Sequence, residues 1–201
     1  MSARTAKGEG APLEEVVHTI GPLYDAHSRA LLLGSVPSPL SRKVSFYYGN
    51  PQNRFWRVLY ALWGLDLAAC EPDGLDVDAR RAFCLEHGIA LWDVIARCRI
   101  RGASDASITD VEPNDLRLIL DAADVHEIFA TGSAAGRYYR RLIEPELGRP
   151  VTVLPSTSPA NAAWSFERLV EAYGRVRDAA ELGCRGAGAP RSRKKNHTLR
   201  N

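Results

Sequence analysis

The sequence has no run of about 18 consecutive apolar residues, so no membrane-spanning helix is expected. Met1 to Gly10 is small, polar and mixed in charge, without the apolar stretch of a secretory signal. Residues 1–11 are therefore expected to form a disordered start. No two of the four cysteines, Cys70, Cys84, Cys98 and Cys184, lie closer than 14 positions. That spacing offers no C-x-x-C pair and no Cys/His cluster suited to a metal. Reduced thiols in a cytoplasmic protein are expected; an iron–sulfur cluster drawing on all four is the weaker alternative. Also missing are G-x-S-x-G, the P-loop Gly-Lys-Ser/Thr and G-x-G-x-x-G. Their absence leaves the common hydrolase elbow and nucleotide-binding signatures without support. No internal repeat is visible.

What is present is ordinary in bulk. The chain has 201 residues, 45% of them apolar and 25% charged, which suits one globular domain that can bury a full core. We place that domain at 12–182. The net charge of +2 conceals an asymmetry. Six of the 26 basic residues follow Cys184 with no acidic one among them, leaving 20 basic against 24 acidic residues in the rest. Segment 183–201 reads as a basic, disordered tail. It either adds sequence-independent affinity for phosphates or serves only to solubilise.

Hydrophobic periodicity gives an alternation of strands and helices. Strands are expected at Arg29 to Leu33, Ile89 to Ile95, Val125 to Thr131 and Val151 to Leu154. Helices are expected at Pro12 to Asp25, Arg54 to Trp63, Asp76 to His87, Pro113 to Ala122, Gly132 to Leu147 and Ala160 to Ala180. The order implies an α/β fold with a mainly parallel sheet of about four strands and helices on both faces. In such a sheet, ligands bind outside the carboxyl ends of the strands. Three of those ends run into loops of small and polar residues: Gly34 to Asn53, Thr131-Gly132-Ser133 and Pro155 to Asn161. One site built from the three is the economical reading.

The first of these loops carries Gly34-Ser35-Val36-Pro37-Ser38 and then Tyr47-Tyr48-Gly49-Asn50-Pro51-Gln52-Asn53-Arg54-Phe55-Trp56. Its mixture of small residues, aromatics and amides suits a pocket for a flat polar ring. Tyr48 offers a stacking face. Asn53 either caps the helix that follows, or holds a water or reads a base edge; Phe55 belongs to the packing. In Leu154-Pro155-Ser156-Thr157-Ser158-Pro159-Ala160-Asn161, Ser158 is placed to cap a helix with Pro159 at its first position. Ser156 and Thr157 add hydroxyls for phosphate oxygens. Asp93, at the end of a strand, could face the site. Arg99, Arg101 and Ser104-Asp105-Ala106-Ser107 form a polar connection that either lines a groove or is plain solvated loop.

Together the Gly34 to Ser38 segment, the Tyr-Gly-Asn-Pro-Gln-Asn-Arg-Phe-Trp run and the Leu154 to Asn161 segment resemble the uracil-DNA glycosylase superfamily. Within it the likeness is greatest to the hypoxanthine-DNA glycosylase family, and it extends to Ala90-Leu91-Trp92-Asp93-Val94 and Ser104-Asp105-Ala106-Ser107-Ile108. The resemblance implies a three-layer α/β/α sandwich. It also implies a monofunctional enzyme, needing no metal or cofactor, that flips deaminated bases out of double- or single-stranded DNA and hydrolyses the N-glycosidic bond. Such an enzyme is expected to act as a monomer. Gly34, Ser35, Val36 and Pro37 fall in the motif that binds the base; Val36 stands where relatives hold a water-activating side chain. The catalytic residue implied is Asn53, and the base-stacking aromatic is Tyr48. Thr131 falls near a base-reading position, and Ser156, Thr157, Ser158 and Asn161 fall in the motif that grips DNA. Leu154 replaces the His of uracil-specific relatives, which suits a base such as hypoxanthine. The competing expectation is a non-catalytic nucleic-acid or nucleotide-binding module, for which Val36 is the best support.

Overall fold

A computed structural model describes residues 12–71 and 73–182; the expectations for the start of the chain and for the basic tail lie outside them. The strands are β1 (Leu13–Val17), β2 (Ala30–Gly34), β3 (Ile89–Asp93), β4 (Ile95–Arg101), β5 (Thr109–Pro113), β6 (Glu127–Thr131) and β7 (Thr152–Leu154). The helices are α1 (Pro39–Lys43), α2 (Phe55–Leu62), α3 (Leu67–Cys70), α4 (Val77–Glu86), α5 (Arg117–Leu120), α6 (Ser133–Leu142), α7 (Glu144–Leu147) and α8 (Phe166–Glu181).

Strands β3-β2-β6-β7 form a parallel sheet in that order. Every residue of β2 and β3 is buried, as continuous apolar strands are when both sheet faces are covered. The cover comes from α8 packed on β2, α4 on β3, and α6 on β6 and β7, with α2 lying along α8. This is the α/β/α sandwich expected from the sequence. The largest fully buried side chains, among them Trp56, Tyr139, Tyr173, Phe55 and Phe129, fill the space between sheet and helices.

Five expected elements differ. The last helix begins at Phe166 and not at Ala160; each of the other four departs for a reason of its own. The region expected as a helix from Pro12 contains β1, which pairs antiparallel with β4; together with β5 they make a second, three-stranded sheet. Pairing with β4, where Glu15 opposes Arg99, overrides the helical pattern. The strand expected over Ile89 to Ile95 is two: it ends at Asp93, and β4 departs into the second sheet. Pro113 closes β5 instead of opening a helix, because the Asn114 N–H donates to the Val94 carbonyl and its Nδ2 to the Asp93 carbonyl. Helix formation is thereby delayed to Arg117. The long helix expected from Gly132 breaks between Leu142 and Glu144, since Pro145 removes a donor and restricts the residue before it.

Leu32 sits fully buried at the middle of β2. Leu32→Ala is expected to cost about 2–5 kcal/mol of stability, read as a lower urea midpoint with an unchanged slope.

Candidate active site

All four parallel strands deliver their last residues to one edge. Gly34 pairs with Asp93 across β2 and β3, and Thr131 with Leu154 across β6 and β7. Above that edge lies a cavity of about 190 Å³. Gly34, Ser35, Val36, Pro37, Tyr48, Asn53, Thr131, Ser156, Thr157 and Ser158 all line it, and Asp93 and Asp105 join them. The sequence-predicted residues are therefore brought together, with one exception. Asn161 is turned to the loop itself, its Nδ2 donating to the Ser156 carbonyl at 2.8 Å.

The floor is set by Gly34. A Cβ there would lie 2.2 Å from Asp93 Oδ1, so only glycine lets the carboxylate rest on the strand end. Asp93 is 5% exposed, and its Oδ2 is 2.7 Å from His18 Nε2. The His18 side chain is itself 2% exposed and stands edge-on to Trp92. His18 escaped the sequence reading because its segment was expected to be a helix. Only the antiparallel pairing of β1 with β4 brings it 75 positions along the chain to Asp93.

Tyr48 is held at its ring and at its hydroxyl. Its ring stacks on Phe55, with centroids 3.5 Å apart and planes 11° from parallel. Its hydroxyl lies 2.7 Å from Thr131 Oγ1. Thr131 already donates to the Leu33 carbonyl, so the phenol is the donor and Thr131 the acceptor. The Tyr48 backbone has φ +50°, in the left-handed region that costs a non-glycine residue about 1–3 kcal/mol. Burial, and then the nearby Asp93 carboxylate, push its phenol well above the ordinary value, so it stays neutral. Thr131 thus aims Tyr48.

Asn53 is tied at its oxygen and lines the cavity. Its Oδ1 accepts from the Phe55 N–H at 3.0 Å, at the start of α2, and from Thr157 Oγ1 at 2.7 Å. A backbone N–H can only donate, which fixes the oxygen inward. Nδ2 is left as the group of Asn53 without a protein partner among the described residues. Asn53 therefore meets the pocket as a hydrogen-bond donor.

The loop after β7 differs from its expected form. Ser158 does not start a helix: the last helix begins at Phe166, with the Ser165 hydroxyl accepting from the Arg168 N–H. Residues 155–161 instead make a compact turn. Ser156 Oγ accepts from the Ser158 N–H, and Ser158 Oγ from the Ala160 N–H. Arg54 explains why. Its guanidinium donates to the carbonyls of Ser158, Asn161 and Trp164, and its Nε and backbone N–H both reach the Thr157 carbonyl. An arginine inside an otherwise aromatic and amide motif was the one signal in the sequence for this brace. Thr157 is 2% exposed and its hydroxyl is engaged with Asn53. That leaves Ser156 and Ser158 as the more open hydroxyls.

Known proteins resemble this chain over most of its length. The sequence model of the Uracil DNA glycosylase superfamily matches residues 22–177. The chain belongs to the uracil DNA glycosylase superfamily. It is therefore a DNA N-glycosylase. It is similar to a hypoxanthine DNA glycosylase of Methanosarcina barkeri, 31% identical over 141 residues that make up 70% of this chain and 85% of the relative. A hypoxanthine DNA glycosylase of Methanosarcina acetivorans is 34% identical over 154 residues, 74% of this chain and 90% of that one. A solution NMR structure from Methanosarcina acetivorans, provisionally described as a uracil DNA glycosylase, superposes with a TM-score of 0.67 at 30% identity. It covers 81% of this chain and 97% of its own.

Two substitutions test the construction of this candidate site. Gly34→Ala pushes Asp93 off the strand end, and DNA cleavage is expected to fall at least about 100-fold while the fold persists. Arg54→Lys offers one point charge for a set of carbonyls that a planar fork now bridges. A loss of about 2–4 kcal/mol is expected by urea unfolding, as for other broken buried polar networks, with weaker DNA binding alongside.

Proposed function

We propose that the protein removes deaminated bases from DNA, hypoxanthine ahead of uracil and xanthine, as a monofunctional, monomeric glycosylase of base excision repair. The observation that carries this reading is that Asp93, Asn53 and Tyr48 line one pocket. Deamination converts a ring nitrogen from acceptor to N–H donor and an exocyclic amine to a carbonyl. Asp93 lines the pocket, and its Oδ1, lying over Gly34 and not held by His18, offers an acceptor for such an N–H. Adenine, with a bare ring nitrogen there, would leave Oδ1 of the buried carboxylate without a donor while His18 holds only Oδ2, which costs about 1–3 kcal/mol. Both curated relatives carry the name hypoxanthine DNA glycosylase, which supports the same base.

The base must leave the stack to reach the pocket, at a cost of a few kcal/mol, least for a mismatched pair. Stacking on Tyr48, worth about 1–3 kcal/mol, and contacts of Ser156 and Ser158 with phosphate offset it. Either double- or single-stranded DNA can present such a base. As the glycosidic bond breaks, negative charge builds on the base and positive charge on the sugar. Asn53 Nδ2 donates to the departing base, and the backbone N–H groups at Ser35 and Val36 add oriented dipoles in the pocket. With Oδ1 taken by Phe55 and Thr157, Asn53 acts on the leaving group more readily than on water.

Oligonucleotides carrying one hypoxanthine, uracil or xanthine, incubated with the protein and then treated with alkali, test the reading. Strand breaks strongest at hypoxanthine are expected; tight binding with no break would instead mean a non-catalytic module. Asn53→Ala should lower single-turnover cleavage about 100-fold or more yet still bind DNA. An unchanged rate would remove Asn53 from the mechanism.

A further inference from the structure

Position 36 is valine, and Asn53 has its oxygen tied inward, so neither can take a proton from water. The pocket nevertheless holds a second carboxylate. Asp105 lines it from the connection between β4 and β5, and Ser35, the neighbour of Val36, donates its hydroxyl to Asp105 Oδ1 at 3.0 Å across 70 positions of sequence. The other carboxylate oxygen, Oδ2, has no partner among the described residues.

The segment that carries Asp105 is built, not merely present. The Ser107 hydroxyl donates to the Ser104 carbonyl at 2.7 Å and accepts from the Arg101 N–H at 2.8 Å, closing the turn on both sides of Asp105. The residue opens to solvent at the pocket mouth while its other sides are walled by protein. A carboxylate so placed can exchange protons with water and with bulk solvent.

We propose that Asp105 is the catalytic base of the reaction, supplying from a distant loop the side chain that position 36 lacks. This rests on the glycosylase reading above. A water oxygen bonds to C1′ of the flipped nucleotide as the C1′–N bond breaks. The bonding pair leaves with the base nitrogen, and one water proton passes to Asp105 Oδ2. The products are the free base, protonated from solvent, and an abasic sugar bearing the new hydroxyl; Asp105 returns its proton to solvent. Asp93 cannot share the role on equal terms, because His18 holds its Oδ2 and the sheet edge encloses it.

The protonation state fits the task. Desolvation pushes the Asp105 carboxyl above its ordinary value, opposed by the Ser35 hydrogen bond and by Arg137 of α6, and assisted by Asp93 of β3. Cys98 of β4 feels the same charge. The ionised form is the active one, so the rate should fall as pH drops through this raised pKa.

The experiment is single-turnover release of hypoxanthine from an oligonucleotide by the full chain and by Asp105→Asn, from acid to neutral pH. In parallel, binding is measured to the same oligonucleotide with a 2′-fluorinated, uncleavable nucleotide. A rate reduced about 10²–10⁴-fold is expected, with affinity within about threefold of wild type, and with the acid limb of the profile gone. Formate added to Asp105→Gly should restore part of the rate. The proposal is overturned if Asp105→Asn cleaves within about threefold of wild type, if affinity falls as much as rate, or if the acid limb survives. A wild-type chain that releases no base overturns the glycosylase reading and this proposal with it. An active wild type beside an equally active Asp105→Asn overturns this proposal alone.

Discussion

The guanidinium of Arg54 joins two segments that would otherwise have no reason to stay together. It stands at the start of α2 and gathers backbone carbonyls from Thr157 to Trp164. Those carbonyls belong to an irregular loop whose polar backbone groups need partners wherever water is excluded. A planar cation with five donors meets that need in a single residue. Once the loop is fixed, Thr157 reaches Asn53, Asn53 caps α2, and Phe55 at the first turn of α2 supports the Tyr48 ring. Thr157, Asn53 and the support under the Tyr48 ring thus trace back to one side chain that is not among the pocket-lining residues.

Below the edge a different constraint rules. The four strands are parallel and in close register, so their ends are level, and Gly34 alone leaves room for the Asp93 carboxylate. The pocket therefore has a rigid polar floor from the sheet and a braced rim from loops. The floor holds an acceptor, and the rim holds a donor amide and a neutral phenol. This division suits a site that must tell one ring edge from another while charge moves through it.

The parallel sheet, α2, α4 and most of the pocket lining were legible because their signals are local: apolar runs ended by small residues, a helical stripe from Phe55 to Leu62, turn residues at strand ends. The elements that were misread depend on partners far away in sequence. Nothing near Leu13 announces that Arg97 to Arg101 will pair with it, and so the His18–Asp93 contact was invisible. Ser158 has all the local marks of a helix start, but Arg54 draws its carbonyl and its neighbours' into a turn. Asp105 was legible as a polar loop residue inside the family resemblance; its contact with Ser35 follows from no spacing rule.

The site is stitched from pieces distant along the chain: Asn53 meets Thr157 across 104 positions and Tyr48 meets Thr131 across 83. Closing such long loops is entropically slow and is rewarded only when the sheet has already aligned its strands. The pocket accordingly assembles only when both distant segments are present. During synthesis, Asn53 and Tyr48 leave the ribosome long before Thr157 and the brace around it exist. A nascent or truncated chain therefore has no assembled means of opening a glycosidic bond, and hydrolytic competence arrives together with the completed fold.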